Sequence, residues 1–261
     1  SQLSHLVLHH YAYEEKQKLI GTKVHHIHNA NKSDKNRKNP ALSSASKKQK
    51  SQTPSAMNTP LNAHDLVWSD SLEALSGDKP SWLIRLWTPD MPFVVRRAHS
   101  RPGLIAVGAR GRLRSERAAL WLSLSDVKRV MRPQETLKYL SSCPWQNFAC
   151  VQSARFLAGK PWPFSWGITG STGFSLASGI CAIHPQSDLD IVIRSRKKLH
   201  RAQLQEWTET IHSCHCSVDT QIDTGVGGFA LTEWLSAKRV LLKTASGPFL
   251  THDPWNFEEV Q

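Results

Sequence analysis

Apolar residues after position 60 follow two patterns, one typical of strands and one typical of helices. Short apolar or alternating runs predict strands over 93–97, 104–108, 217–222 and 239–244, because successive strand side chains point to opposite faces. Apolar residues three or four apart predict an amphipathic helix over 199–214. Its apolar stripe, which we interpret as core, consists of Leu199, Leu204, Trp207, Ile211 and Cys214.

Capping and turn residues predict shorter helices between these strands. Such helices are expected over 127–131, 134–140, 146–157 and 229–235. Strands and helices mix irregularly and the chain contains no internal repeats, so we expect an α+β (mixed α/β) fold. Two lobes are predicted, a smaller N-terminal one over 61–160 and a second one over 161–261.

The first sixty residues differ in composition from the rest. They hold ten Lys or Arg against three Asp or Glu, so they supply more than half of the formal net charge of +12, and they contain none of the 10 Trp and 8 Phe. This composition predicts a disordered basic extension over 1–60. Met57 is interpreted as a natural start, with 1–56 an upstream extension, and any metal binding by its six early histidines as adventitious.

The remainder is only mildly basic, which suits a protein that handles phosphates or an acidic partner. The longest apolar runs are shorter than the ~18 residues of a membrane span, so no membrane association is expected. Five cysteines and ample aromatic residues favour reduced thiols over a disulfide scaffold. We therefore expect a cytoplasmic protein.

A set of glycine, serine and aspartate residues in the second half predicts phosphate chemistry. An apolar strand ends at Gly170-Ser171, where the start of a helix would bind an anion through its amides and dipole. Asp188 and Asp190 share one strand face about 7 Å apart, so their charges repel unless a cation or donors lie between them. Asp219 lies on a later apolar strand.

Three carboxylates on adjacent strands suit Mg²⁺, which completes its shell with water and substrate phosphates. Two such ions would stabilise both the attacking and the leaving oxygen at phosphorus. In this interpretation Asp188 and Asp190 bridge both ions and Asp219 completes the site, as in nucleotidyltransferases. An Asp-x-Asp pair alone is more often a turn or a solvated strand end, so the prediction depends on the ordered set.

Longer motifs make the chain resemble a narrower family, the phosphoribosyl-dephospho-CoA transferases of malonate decarboxylase, also called its holo-acyl-carrier-protein synthase. The resemblance covers about 61–255, with no counterpart for 1–56. It is carried by HDLVW at 64–68, VVRRA at 94–98, GL at 103–104, VGARG at 107–111, TGSTGFSLASG at 169–179, HP at 184–185, SDLD at 187–190, VDTQ at 218–221, LTEW at 231–234, LLKTASGP at 241–248 and DPW at 253–255.

The resemblance implies a nucleotidyltransferase-like mixed sheet with flanking helices and a specific reaction. The donor would be triphosphoribosyl-dephospho-CoA and the acceptor a serine of the apo acyl-carrier subunit of malonate decarboxylase. Attack at the α-phosphorus would release pyrophosphate and leave a phosphodiester. Asp188, Asp190 and Asp219 match the carboxylate positions of the pattern, and Gly170 and Ser171 match its phosphate-binding pair.

Several basic residues are further candidates for binding substrate. Arg110, Arg112, Arg114 and Arg117 flank Gly111, where they would bind the triphosphate or the carrier, or form an exposed solubilising loop. Lys243 and His184 are weaker candidates for phosphate and substrate contacts.

Other polar groups have structural interpretations. His64 and Asp65 are expected to form a hydrogen-bonded pair rather than act directly in catalysis. His212, Cys214, His215 and Cys216 lack the paired spacing of zinc ligands, so we interpret Cys214 as core. The glycine-rich 225–228 run is interpreted as a turn.

Two other functions remain open. The first is a nucleotidyltransferase that uses an ordinary nucleoside triphosphate on another acceptor. The second is a carrier- or RNA-binding module without catalytic activity, although nucleic acid is not favoured because the folded part lacks alternating basic and aromatic residues.

Overall fold

The computed structural model describes residues 60–111, 113 and 115–258. Within them it confirms the predicted α+β class, with two six-stranded sheets and five α-helices. No helix in these ranges is long and apolar enough to cross a membrane. The predicted extension, apart from Pro60, and Arg112 and Arg114 lie outside the described residues.

The first sheet is antiparallel, in the spatial order β2-β5-β4-β3-β1-β6. The predicted strands 93–97 and 104–108 are confirmed as an antiparallel pair. The first-sheet elements are β1 (Leu66–Trp68), β2 (Leu75–Ser76), α1 (Ser81–Leu86), β3 (Phe93–Val95), β4 (Leu104–Arg110), β5 (Arg117–Ser123) and β6 (Arg129–Met131).

Alternation of side chains gives the first sheet one apolar face and one mixed face. The apolar face carries the first core, in which Val67, Phe93, Val107, Leu120 and Leu122 have no exposed surface. The register that places Val94 opposite Gly108 and Ala106 opposite Trp121 puts these residues on the other face.

The second sheet has the order β12-β11-β10-β9-β8-β7 and is parallel only between β8 and β9. Parallel neighbours need a crossover, which a helix between them provides. The elements are α2 (Ala149–Ala158), β7 (Ser165–Ile168), α3 (Gly170–Ser178), β8 (Leu189–Arg194), α4 (Arg201–Ile211), β9 (Val218–Asp223), β10 (Gly228–Ala230), α5 (Leu231–Ser236), β11 (Val240–Thr244) and β12 (Gly247–Thr251).

The crossover helix α4 confirms the amphipathic pattern at 199–214, although it ends at Ile211. Leu204 and Trp207 are fully buried, and the Trp207 ring has edge contacts with Trp162 and Phe164. Cys214 follows the helix and packs against the same core as predicted. All five cysteines are free thiols.

Three helix predictions were wrong in type or extent. Residues 127–131 do not form a helix, because β6 pairs with β1 after a 3-10 helix at Leu124–Asp126. The element expected over 134–140 is a 3-10 helix at Pro133–Tyr139. Part of the helix expected over 229–235 is strand β10, which fills the gap between β9 and β11. Pairing with other strands decides the first and third of these cases and leaves no local signal.

Two ion pairs join the sheets, and one close backbone contact joins β7 to the 3-10 helix at Pro133–Tyr139. Arg194 on β8 contacts Asp65 before β1, and Arg97 after β3 contacts Asp223 on β9, each at 2.9 Å. A Cβ at Gly167 on β7 would lie 2.1 Å from the Pro133 backbone, so only glycine permits this approach. The mixed face of the first sheet therefore lies over β8 and β9.

Candidate active site

A cavity of about 370 Å³ lies between the mixed face of the first sheet and strands β8 and β9. The first sheet and its N-terminal approach contribute basic side chains, and the second sheet contributes carboxylates. The residues used below that line this cavity are His64, Arg96, Arg110, Arg117, Gly170, Asp190, Asp219 and Gln221.

Asp190 and Asp219 are directly opposite each other in the parallel pairing of β8 with β9. Neighbouring strands are about 4.8 Å apart, so both carboxylates lie on the same face at close range. Asp190 is half-buried and Asp219 is exposed. Two adjacent carboxylates favour a bound cation, because each raises the free energy of the other's charge.

Helix α3 begins beside Asp190. Thr169 is its N-cap, and the Thr169 amide donates to the Asp190 carbonyl oxygen at 2.8 Å, which fixes this turn against β8. Gly170 has a φ of +62°, and a Cβ there would lie 1.9 Å from Asp190 Oδ2. The chain thus brings a helix N-terminus, with its amide donors and partial positive charge, next to a carboxylate.

Arg110 and Arg117 are opposite each other at the end of the β4–β5 hairpin, and both line the cavity. Burial, with a smaller effect of Arg117, lowers the pKa of Arg110 to about 10, while Asp190 acts in the opposite direction. Arg110 stays charged at neutral pH, and its buried Nε has no hydrogen-bond partner. A guanidinium in this position suits phosphate oxygens.

His64 was expected to pair with Asp65, and this prediction was wrong. Asp65 is fully buried, and its carboxylate accepts from Arg194 Nη2 and the Asn62 amide, both at 2.9 Å. His64 instead lines the cavity, with a φ of +73° and a buried Nε2 that has no hydrogen-bond partner. Burial, assisted by Arg97, lowers its pKa to about 4, so the imidazole is neutral at pH 7.

Four predicted site residues do not line this cavity. Asp188 is exposed before β8, Ser171 is half-buried in the first turn of α3, and Lys243 is exposed on β11. His184 is exposed, and its Nδ1 accepts from the Gln186 amide within the local turn. Their roles stay predictions.

Sequence reasoning missed Gln221, which lines the cavity two residues after Asp219 on the same face of β9. The alternation of β9 was a signal that could have identified it.

The carboxylates that line the cavity could supply some of the ligands of a magnesium ion. Within the described ranges, no three His, Cys, Asp or Glu side chains form a ready-made metal site. Asp190 and Asp219 nevertheless supply two carboxylates, and Mg²⁺ commonly binds one or two carboxylates together with water and substrate phosphates. The cavity therefore suits a cation that arrives with a phosphorylated substrate.

Comparison with known protein families matches most of the described part of the chain. The family described as phosphoribosyl-dephospho-CoA transferase MdcG N-terminal domain matches residues 62–133, and the corresponding C-terminal domain family matches 134–254. The two ranges meet where the 3-10 helix at Pro133–Tyr139 begins. The lobe boundary we predict near residue 160 remains a prediction.

Curated relatives extend the match to nearly whole proteins. The chain is 40% identical to a phosphoribosyl-dephospho-CoA transferase of Klebsiella pneumoniae over 198 residues, covering 75% of the chain and 97% of the relative. A Pseudomonas fluorescens protein of the same name is 41% identical over 198 residues, covering 75% of the chain and 94% of the relative. No solved structure matches the chain significantly.

These similarities define the protein as a transferase enzyme. The chain belongs to the phosphoribosyl-dephospho-CoA transferase family.

Proposed function

We propose that the enzyme transfers the phosphoribosyl-dephospho-CoA group from triphosphoribosyl-dephospho-CoA to a serine of the apo acyl-carrier subunit of malonate decarboxylase. The family match supports the type of group transferred. The observation that carries the chemistry is the register pair Asp190 and Asp219 beside the N-terminus of α3. The proposal assumes a cytoplasmic enzyme.

In this reaction the serine oxygen forms a bond to the α-phosphorus, and the bond between that phosphorus and the bridging oxygen to the β-phosphate breaks. The electron pair leaves with pyrophosphate. The first-turn amides of α3 and the Arg110 guanidinium bind the phosphate oxygens, since both are donors at the cavity. Asp219, the more exposed carboxylate, accepts the serine proton.

Asp190 and Asp219 would hold Mg²⁺, and we assign Asp188 as a third ligand of a two-ion site. Bound Mg²⁺ would neutralise negative charge on the phosphates during transfer. Asp188 is exposed and does not line the cavity.

The test is to incubate the enzyme with purified apo carrier, Mg²⁺ and triphosphoribosyl-dephospho-CoA, and to weigh the intact carrier by mass spectrometry. We expect a mass increase equal to the phosphoribosyl-dephospho-CoA group and one pyrophosphate released per carrier. Asp190→Asn should lower turnover by orders of magnitude. Asp78→Asn, which changes an exposed carboxylate outside the cavity, is the matched control.

Two results would contradict the proposal. Transfer of a simple nucleotide from an ordinary nucleoside triphosphate would indicate a different nucleotidyltransferase. Unmodified carrier, with no Mg²⁺-dependent pyrophosphate release from the donor, would favour a carrier-binding module.

A further inference from the structure

A second cavity, of about 290 Å³, extends along the mixed face of the first sheet. Arg96 lines both this cavity and the catalytic one. Trp121 forms part of its wall, while Asp223 and Val226 contribute from the second sheet and the loop after β9. The two cavities are therefore neighbours on one side of the first sheet.

Trp121 differs from the other tryptophans. All ten lie in the described residues, and nine of them belong to or pack against clusters of buried apolar residues, namely Trp68, Trp82, Trp87, Trp145, Trp162, Trp166, Trp207, Trp234 and Trp255. Trp121 is absent from these clusters, and the Arg101 guanidinium lies 4.0 Å from its ring centroid. An aromatic ring that does not serve the core and lines a cavity suits stacking on a planar ligand.

The charge of the second cavity favours an anionic ligand. Its carboxylate, Asp223, is neutralised by Arg97 at 2.9 Å. Arg96 forms no ion pair within the described residues, and its Nε donates to the Val107 carbonyl oxygen at 3.0 Å, which holds the side chain on the sheet. Exposed His99 lies at the same wall. Arginine binds phosphate oxygens strongly.

The spacing between the cavities suits a long substrate. Asp219, Gln221 and Asp223 share one face of β9, and the strand passes from the first cavity to the second. Four residues of strand span about 13 Å. In the proposed donor, one ribose separates the triphosphate from the adenosine of dephospho-CoA. The diphosphate of dephospho-CoA is attached to this adenosine and is more distant from the triphosphate. His64, whose side chain interacts with Gln221, lines the first cavity beside this strand.

We propose that the second cavity binds the adenosine diphosphate portion of dephospho-CoA, with the base against Trp121 and the diphosphate at Arg96. This inference rests on the proposed function, because the donor defines which group must extend from the reacting phosphate. It assigns recognition of the donor to the first sheet and the reacting end to β8, β9 and α3.

The test is calorimetric titration of the full chain with dephospho-CoA in the absence of carrier. We expect binding, with ADP retaining most of the affinity and pantetheine showing none. Trp121→Leu should raise Kd about tenfold or more, because base–aromatic stacking has about this effect. Trp82→Leu is the matched control, since Trp82 is also half-buried but packs against the first core on the opposite face, and its Kd should stay within about twofold.

Pyrophosphate with Mg²⁺ should not displace dephospho-CoA, because the leaving group belongs in the first cavity. The inference is overturned if wild type does not bind dephospho-CoA, if Trp121→Leu leaves its Kd unchanged, or if pyrophosphate competes. Circular dichroism of each variant separates loss of the site from loss of folding, and Arg96→Gln gives a second, exposed substitution if Trp121→Leu is unfolded.

Binding of dephospho-CoA and modification of the carrier distinguish failure of the second-cavity assignment from failure of the proposed reaction. If carrier is modified normally by Trp121→Leu with an unchanged KM for the donor, the second-cavity assignment fails and the reaction stands. If dephospho-CoA binds in a Trp121-dependent manner but carrier is never modified, the assigned reaction fails instead.

Discussion

Replacing Gly170 by alanine is expected to separate the geometry of the active site from the stability of the fold. Gly170 has a φ of +62° at the start of α3, and a new Cβ would lie 1.9 Å from Asp190 Oδ2. Ordinary contact begins near 3.4 Å, so the carboxylate or the helix start must move by about 1.5 Å. Both groups belong to the proposed phosphate-transfer site, so this displacement is expected to lower the proposed activity directly.

The magnitude follows from two separate effects. A displacement of about 1 Å in a catalytic group lowers turnover about a hundredfold. The positive φ adds strain of roughly 1–2 kcal/mol for a residue with a Cβ. That strain corresponds to a melting temperature lowered by about 2–8 °C in a protein of this size.

Gly179 is the matched control because it lies at the other end of the same helix. Its φ is +74°, and an added Cβ would meet no atom within 4 Å. Gly179→Ala should therefore show the strain without the collision, with a lower melting temperature and unchanged kcat. The assay measures pyrophosphate release and thermal unfolding for both variants. Turnover by Gly170→Ala within about threefold of Gly179→Ala would refute the role of this close approach.

Three further predictions concern charge. The pKa of His64 is about 4 in the folded protein and 6.5 in the unfolded chain, so the unfolded chain takes up the proton at a higher pH. The free energy of unfolding of wild type should therefore fall by up to roughly 3 kcal/mol as the pH is lowered from about 6.5 to 4. His64→Asn, which introduces a residue type that tolerates positive φ, should lose less stability over the same pH range in urea titrations. Parallel curves of unfolding free energy against pH for wild type and variant would contradict this. Arg194→Ala should destabilise by about 3–5 kcal/mol because Asp65 is left buried and unpaired, and Asp65→Asn in the same chain should restore part of it. Since Arg110 has a pKa of about 10, kcat/KM should fall as pH rises through that value in wild type, while Arg110→Gln should be slower without that step. An identical decline in both would exclude Arg110 as its cause.

The pairing of Asp190 with Asp219 was accessible from the sequence for a physical reason. Side-chain alternation fixes which residues share a strand face, and the amphipathic helix between the strands provides the crossover of a parallel pair. The helix start at Gly170 could also be predicted, because the change from an apolar strand to a helix is visible in the local sequence.

The cavity positions of His64 and Trp121 were not accessible from local patterns. Both depend on how one sheet lies over the other, which the ion pair between Asp65 and Arg194 helps to fix. The strand at Arg129–Met131 was missed for a similar reason, since its partner β1 lies about sixty residues earlier in the chain. Long-range pairing decides such positions more strongly than residue preference.

The ion pairs between the sheets also restrict which first and second halves of related chains can be combined in one protein. Asp65 with Arg194 and Arg97 with Asp223 give each half one acid and one base, in opposite order. A hybrid that joins the first 133 residues to the remainder of a relative keeps its active cavity only if both donors carry the same polarity at both pairs. In this chain the four residues therefore form two coupled pairs, and reversing the charge of one member alone would place two like charges together between the sheets.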